Sequence, residues 1–456
     1  MSSTEELAAK ALDLARSGLG GGAEIEALAS RDRAGLTRFA NSYVHQHVAE
    51  EAVAVTLRVH LDGRTATAST SRTDHDGLQA LVDRIATAAR LLPPDPEWPG
   101  LTPPERPADP APLDPAILEV TPAARTARVK AFVDATSGLL AAGYCSTGWT
   151  SGSFVNSAGH SLTAEYTEAA FDGVARAGTS STPADGVARH SSPWLADIDG
   201  AALGARAAAK AHASVSPSYL PPGDYEVVLE PEAVSDVLGS LAYYCFNGKA
   251  FAERQAFARP GVAQFDPALS VVDDPAAGGL PFDSEGTPKR RLDLVRDGVT
   301  TGLTHNRRTA VEVGASPTGH AAPGDDTWGP IGTNLAIEPS PTGPANTTDS
   351  VAALVAQVER GLLVTDIWYT RVLDPRPLIM TGLTRNGVWL IEGGEIAGPV
   401  RNLRFTQAYP QALAPGRVLG IGSHAVSQPS HGFGFSAFRA PALRLASWHF
   451  TGGAEG

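Results

Sequence analysis

Two kinds of chemistry are open to the segment Gly279 to Ala310, GLPFDSEGTPKRRLDLVRDGVTTGLTHNRRTA: recognition of negative or carbonyl groups by guanidinium side chains, and tight backbone turning. Arg290, Arg291, Arg307 and Arg308, with His305 beside the second pair, are candidate substrate-binding residues. A planar guanidinium fork bonds two acceptor atoms at once and so suits a carboxylate or a run of peptide carbonyls. The plainer account is a solvated face whose arginines pair with Asp293 and Asp297, exposed pairs that add little energy. Phe282, Asp283, Glu285 and Gly286 form a turn motif, and there the two carboxylates hold the turn rather than carry protons.

Metal and nucleophile chemistry finds less support. A hydrolytic zinc site usually takes two His one helical turn apart with a Glu base beside the first, because both imidazoles must face one ion. Neither His-Glu-x-x-His nor His-Glu-x-x-x-His occurs. His45/His47 and His424/His431 are the closest His pairs, and neither has a third ligand at a recognisable spacing. Gly-x-Ser-x-Gly and phosphate-loop patterns are absent, and Gly18 to Gly22 closes a helix instead of opening one. Cys145 and Cys245 lie in apolar or aromatic settings, where burial keeps a thiol inert. The sequence therefore assigns no catalytic residue and no metal ligand to this chain.

The elements that must position the arginines read as a mixed fold. Leu292 and Leu294 before Asp297-Gly298, and Val299 and Leu303 after it, predict a hairpin with a type I′ turn. A helix is expected from Thr4, strands over Ala23–Ser30 and Leu36–Val44, alternation from Val53 to Leu61, and a helix from Asp74 to Leu91. Pro93 to Leu113 is too proline-rich for regular structure. After it the order repeats: a helix opening at Thr121-Pro122, strands over Cys145–Phe154 and Ser161–Ala175, and an alanine-rich helix over Ile198–Ala213. Phe39-Ala-Asn-Ser42 and Phe154-Val-Asn-Ser157 take corresponding places, so residues 1–220 form an N-terminal domain of two related halves, about 1–92 and 114–215. From residue 221 to 456 a helix over Pro231–Phe246 is followed mainly by strands, with hairpins at Asn386-Gly387 and Gly393-Gly394. The fold class is α+β: duplicated helix and antiparallel-sheet units, then a β-rich, barrel-like domain.

The balance of 36 Lys and Arg against 49 Asp and Glu, net −13, excludes nucleic acid and anionic membrane as partners. Two distant cysteines suit a reducing compartment, and no apolar run is long enough to span a bilayer, so a cytoplasmic protein is expected.

Several motifs resemble one family over nearly the whole chain. They are Arg38-Phe-Ala-Asn-Ser-Tyr-Val-His-Gln46, Leu61 to Thr70, Phe282 to Arg291, Gly361 to Thr365 and Asn386 to Val400. Together they are similar to the TldD/PmbA family of bacterial peptidase components. The resemblance implies an α+β domain, a barrel-like domain and dimers with an internal cleft. It also implies, for the TldD branch, zinc peptidases acting on unfolded or extended peptides with a TldE (PmbA) partner. In that branch a His-Glu-x-x-x-His helix would fall at Val234 to Asn247 and a ligating Cys near Gly422 to Phe435. This chain has neither, and so resembles the TldE (PmbA) branch.

The function so implied is a non-catalytic subunit of a heterodimeric zinc metallopeptidase, holding an extended peptide and completing the cleft. No cofactor is expected in this chain, zinc being expected in its TldD-type partner. The alternatives are a stand-alone enzyme of the same fold in a biosynthetic pathway, rebuilt around His305, His320, His424 and His431 with Asp325 or Asp326, or a metal-free peptide-binding homodimer.

Overall fold

In the computed structural model of the chain, residues 2–107, 110–179, 182–340, 346–348, 350–429 and 437–453 are described. Ser3 starts α1 (Thr4–Leu19) with a capping box: its hydroxyl accepts the Glu6 N–H, and the Glu6 carboxylate accepts the Ser3 N–H. Strands β1 (Glu24–Ala40), β2 (Tyr43–Leu61) and β3 (Arg64–Thr70) follow, closed by α2 (His75–Leu91). The short α3 (Pro115–Leu118) precedes a second copy of this order: α4 (Pro122–Ala135), β4 (Leu140–Asn156), β5 (Ser161–Thr179), β6 (Thr182–Ser192) and α5 (Gly200–Ala213). All six strands form one antiparallel sheet, β3-β2-β1-β4-β5-β6, with β1 against β4 at the centre.

The strands are longer than the sequence suggests. Ala23–Ser30 and Leu36–Val44 are not two strands, because β1 runs unbroken through Arg31-Asp32-Arg33, whose side chains need no burial on a partly exposed stretch. The chain reverses at Asn41 and Ser42, with φ of 50° and 65°. The two Phe-x-Asn-Ser quartets lie at equivalent places, the β1–β2 and β4–β5 turns.

Because side chains alternate across a strand, the sheet has two distinct faces. One carries Ile25, Ala27, Val55, Leu57 and Val59 against α1 and α2, and Cys145, Ala169, Phe171 and Ala188 against α4 and α5. The other carries Glu26, Leu28, Arg58, Phe154, Leu162, Glu168 and Ser191, and the C-terminal half packs on it.

That half begins with β7 (Gly223–Leu229) and α6 (Pro231–Ser240). The expected helix over Pro231–Phe246 is regular only to Ser240. Leu241–Cys245 then forms a π-helical turn, a feature frequent at functional sites. After α7 (Gly248–Ala252) come β8 (Leu269–Asp273), β9 (Leu292–Arg296), β10 (Val299–Thr300), α8 (Arg307–Val313), β11 (Leu335–Pro339) and β12 (Asn346–Thr348). The remaining strands are β13 (Arg360–Asp374), β14 (Ile379–Glu392), β15 (Glu395–Pro399), β16 (Leu403–Ala408), β17 (Val418–Gly422), β18 (Val426–Pro429), β19 (Ala437–Ala440) and β20 (Leu443–Gly453). Strands β20, β16, β14, β13 and β7 close into a barrel through the β20–β7 pairing, while β10-β9-β8-β11-β19-β18 make a second sheet. Trp448, Tyr409, Phe405 and Phe450 fill the shared core.

The turn at Asp297-Gly298 has φ of 50° and 80°, as the I′ geometry requires. Asn386-Gly387 is not a hairpin. It lies inside β14 as a bulge opposite Thr365, where β13 continues to pair on both sides, so a local turn signal is absorbed by a long-range pairing. Gly393-Gly394 does join two paired strands, β14 and β15. No helix among the described residues is long and apolar enough to cross a membrane.

Candidate functional site

The Phe282 to Gly286 turn is built into the seam between the halves. Asp283 accepts the backbone N–H groups of Glu285, Thr287 and Ala321, so its carboxylate holds the turn from inside. Glu285 points across the seam, one oxygen 2.7 Å from Arg58 Nη1 and the other accepting the Arg307 N–H at 2.8 Å. Arg58 also bonds Glu26 at 2.5 Å, so one guanidinium serves two carboxylates whose side chains are each 3% exposed. Burial pushes the Glu26 carboxyl up to about 7 despite Arg58, and one of its oxygens has no hydrogen-bond partner. Gly286, at φ 71°, presses on the Phe154 ring, and its carbonyl contacts His160 Nε2 at 2.8 Å. Phe282, Phe154 and Leu162 form a small apolar cluster alongside, with Leu28 and Leu280 packed against it.

The arginines singled out by sequence go to different partners within the chain. Arg307 donates to the carbonyls of Pro99, Gly100 and Leu101, strapping down the proline-rich segment. Arg308 forks onto Asp95 at 2.8 and 2.9 Å, and those bonds hold the Asp95 carboxyl down at about 2. Arg290 is exposed beside Glu105, and Arg291 pairs with Glu338 at 2.6 Å. His305 is buried, held by Thr318 and Thr309, and burial lowers its imidazole to about 4. His320 reaches the same Thr318 and pairs with Asp273 at 3.2 Å. Asp325 accepts from Asn306, and His424 is exposed after β17. His431 lies outside the described residues.

A second part of the seam is ionic. Lys210 on α5 lies 2.8 Å from Glu230 at the start of α6, and Arg206 pairs with Glu232 one turn along. Although burial alone would raise it, Lys210 and the Thr365 hydroxyl hold the Glu230 carboxyl below its ordinary range. Arg189 on β6 forks onto Asp366 at 2.9 and 3.0 Å and bonds Asp172 at 2.9 Å. Further along α6, burial pushes Asp236 up to about 7, and the Thr370 and Tyr409 hydroxyls donate to it. Cys245 is fully buried among apolar residues. This donor set does not fit a zinc ion. The α6 carboxylates already have cationic or hydroxyl partners, the thiol faces the core, and no group of three His, Cys, Asp or Glu among the described residues is placed to share a metal.

Between these two joints the halves part. A cavity of about 280 Å³ opens over β4, β5 and β6, roofed by Gly278, Gly279, Asn334, Ser427 and Pro429. Glu168 enters it with no hydrogen bond or ion pair among the described residues, and burial pushes its carboxyl up to about 8. Ser191, 7% exposed, lines the same space with its hydroxyl unpartnered. Sequence reasoning missed both residues. Its one available signal was a charge at Glu168 following Leu162, Ala164 and Tyr166 on one strand face.

Comparison with known proteins agrees with this architecture. Residues 222–452 match the family model described as the PmbA/TldA metallopeptidase C-terminal domain, and residues 25–89 match PmbA/TldA metallopeptidase domain 1. A metalloprotease of Synechocystis is 26% identical over 201 residues, 42% of this chain and 41% of the relative. A metalloprotease of Methanothermobacter thermautotrophicus is 25% identical over 230 residues, 48% of each chain. The chain thus spans less than half the length of the curated relatives it matches. Among solved structures, TldE from Thermococcus kodakarensis superposes with a TM-score of 0.86 over 98% of this chain and 100% of its own, at 16% identity, a likeness of fold.

Proposed function

This chain belongs to the PmbA/TldD metallopeptidase family, and from that membership we infer that it is a TldE-like, non-catalytic subunit. In this reading it joins a TldD-type zinc subunit and completes a cleft that holds an unfolded or extended peptide. The observation that carries the reading is the state of α6. At Val234 to Asn247, where the family's zinc motif would fall, the charged residue is Asp236, which accepts the Thr370 and Tyr409 hydroxyls, and just ahead of it Glu230 and Glu232 take Lys210 and Arg206 from α5. A charge-paired helix of this kind supports positioning and assembly, since bound metal would compete with the cations already there. The peptide would pair with an exposed strand edge, main-chain bonds giving tolerance of sequence.

The test is metal content and proteolysis of an unfolded protein by this chain alone, by a TldD-type chain from the same source, and by their mixture. Activity confined to the mixture and abolished by a chelator is expected. Stoichiometric zinc or turnover in this chain alone would overturn the reading.

A further inference from the structure

The cavity over β4, β5 and β6 is a hollow of mixed lining, more apolar than polar, that holds one carboxyl with no partner among the described residues. Burying a carboxyl is costly unless it is bonded, and buried hydroxyls normally find an acceptor or donor. Here the buried Ser191 hydroxyl has no partner, and the half-buried Glu168 has no hydrogen bond or ion pair among the described residues, both lining one half-open space. The two belong together by register: Glu168 pairs across with Gly148, and Ser191 with Ala170, so both side chains stand on the face turned away from the helices.

The surrounding charge selects the sign of a ligand. Tyr144 and Ser146 of β4 lie beside Glu168, and Tyr144 faces Asp172 across the strands. Arg189, beside Asp172 on this face, is shared by Asp172 and Asp366, two carboxylates for one guanidinium. Glu168 adds a third acidic group, which on ionising favours a cation over an anion in the hollow. Its volume suits a small terminal group and a few linked atoms rather than a folded partner. Gly278 and Gly279 form the roof, at φ of 145° and 84°, and a Cβ added to either would meet no atom within 4 Å.

We propose that this cavity binds a primary ammonium group carried on an extended chain, with the Glu168 carboxylate as counter-ion and Ser191 Oγ as a hydrogen-bond acceptor. Only the identity of the carrier, a peptide, rests on the function proposed above. The chemistry is shared by a peptide's amino terminus and a lysine side chain. Because the empty site keeps its carboxyl protonated near neutrality, ligand entry as an ammonium releases about one proton to solvent at pH 7.

The experiment is calorimetric titration of the full chain at pH 7, in two buffers of different ionisation enthalpy. Three probes are used: the peptide Ala-Gly-Ala-Gly-Ala, its N-acetyl form, and the N-acetyl form with lysine at its centre. Binding of the free-amine peptide with proton release is expected, weakened tenfold or more by acetylation and by Glu168→Gln. Restored binding by the acetylated lysine peptide assigns the site to side-chain ammonium, and binding of the free terminus alone assigns it to amino termini. Ser146→Leu fills the hollow without touching the charge and should abolish binding, which keeps the proposal testable if Glu168→Gln does not fold. Equal binding of free and acetylated peptides, indifference to Glu168→Gln, or no binding of any probe overturns it. No partner subunit is present, so failure here leaves the mixing experiment untouched, and failure of the mixture leaves this result standing.

Discussion

Arg58→Met tests whether one guanidinium holds the two halves together. The methionine keeps the aliphatic stem and removes the charge that serves Glu26 at 2.5 Å and Glu285 at 2.7 Å. Breaking a buried pair strands its partner and costs roughly 3–5 kcal/mol, and here two carboxylates are stranded at once. The loss should depend on pH in a definite direction. In the wild type, burial raises Glu26 to about 7, so the folded chain holds its proton from about pH 4.5 to about pH 7, and stability falls as pH rises through that window. Without Arg58 the attraction that lowers Glu26 is gone, so its folded carboxyl rises further and stability keeps falling above pH 7. A proton kept there costs the variant about 1.4 kcal/mol per pH unit where the wild type levels off. Opening of the seam to water caps the difference at the roughly 3–5 kcal/mol of a broken buried pair. Urea unfolding of both proteins at pH 5, 6, 7 and 8 reads it directly. Parallel stability profiles, or a loss below about 1 kcal/mol at pH 8, would refute the latch.

Two further outcomes follow from the same seam. Glu168→Gln removes a carboxyl that burial raises to about 8, so the variant should gain stability over the wild type as pH rises from about 4.5 to 8. The gain approaches at most about 4–5 kcal/mol at pH 8, and a urea-midpoint difference that does not change with pH would count against an unpaired Glu168. Gly286→Ala places a methyl against the Phe154 ring at φ 71°, whereas Gly63→Ala meets open space at φ 72°. Both pay the left-handed backbone cost of about 1–3 kcal/mol, and the Gly286 variant should melt lower than the Gly63 control by the cost of displacing Phe154.

Local chemistry was the legible part of the sequence. Asp297-Gly298 could be read because a hairpin turn needs only its own φ angles, and α2 because its cap and apolar stripe lie within one segment. Asn386-Gly387 carried the same signal and became a bulge, since the deciding partner, Thr365, comes from another strand. The charge of the Phe282–Arg308 region was visible, but its partners were not: Glu285 meets Arg58 across 227 positions, and Arg308 meets Asp95 across 213. Periodicity assigns a face to each residue and does not say which distant segment will cover it. For the same reason Glu168 stood out only as a charge after three apolar or aromatic residues on its face, while the hollow above it is made by residues 277–279, 334, 427 and 429.

The turn motif and the cavity are two consequences of one covering segment. Gly278 and Gly279 roof the hollow, and the chain then runs directly into Leu280, which packs on Gly152, and Phe282, which packs beside Phe154 and Leu162. The height of the roof above Glu168 is therefore set by the fit of Leu280 and Phe282, and by the ionic grip of Glu285 on Arg58 three residues further on. Across the hollow, Arg189 fixes β6 to Asp366 of the barrel and anchors the opposite rim. A site braced at both rims loses little freedom when a ligand enters, so its affinity comes from a carboxyl group already in position rather than from ordering the walls. Loosening the latch should then weaken ammonium binding without altering a single group that touches the ligand.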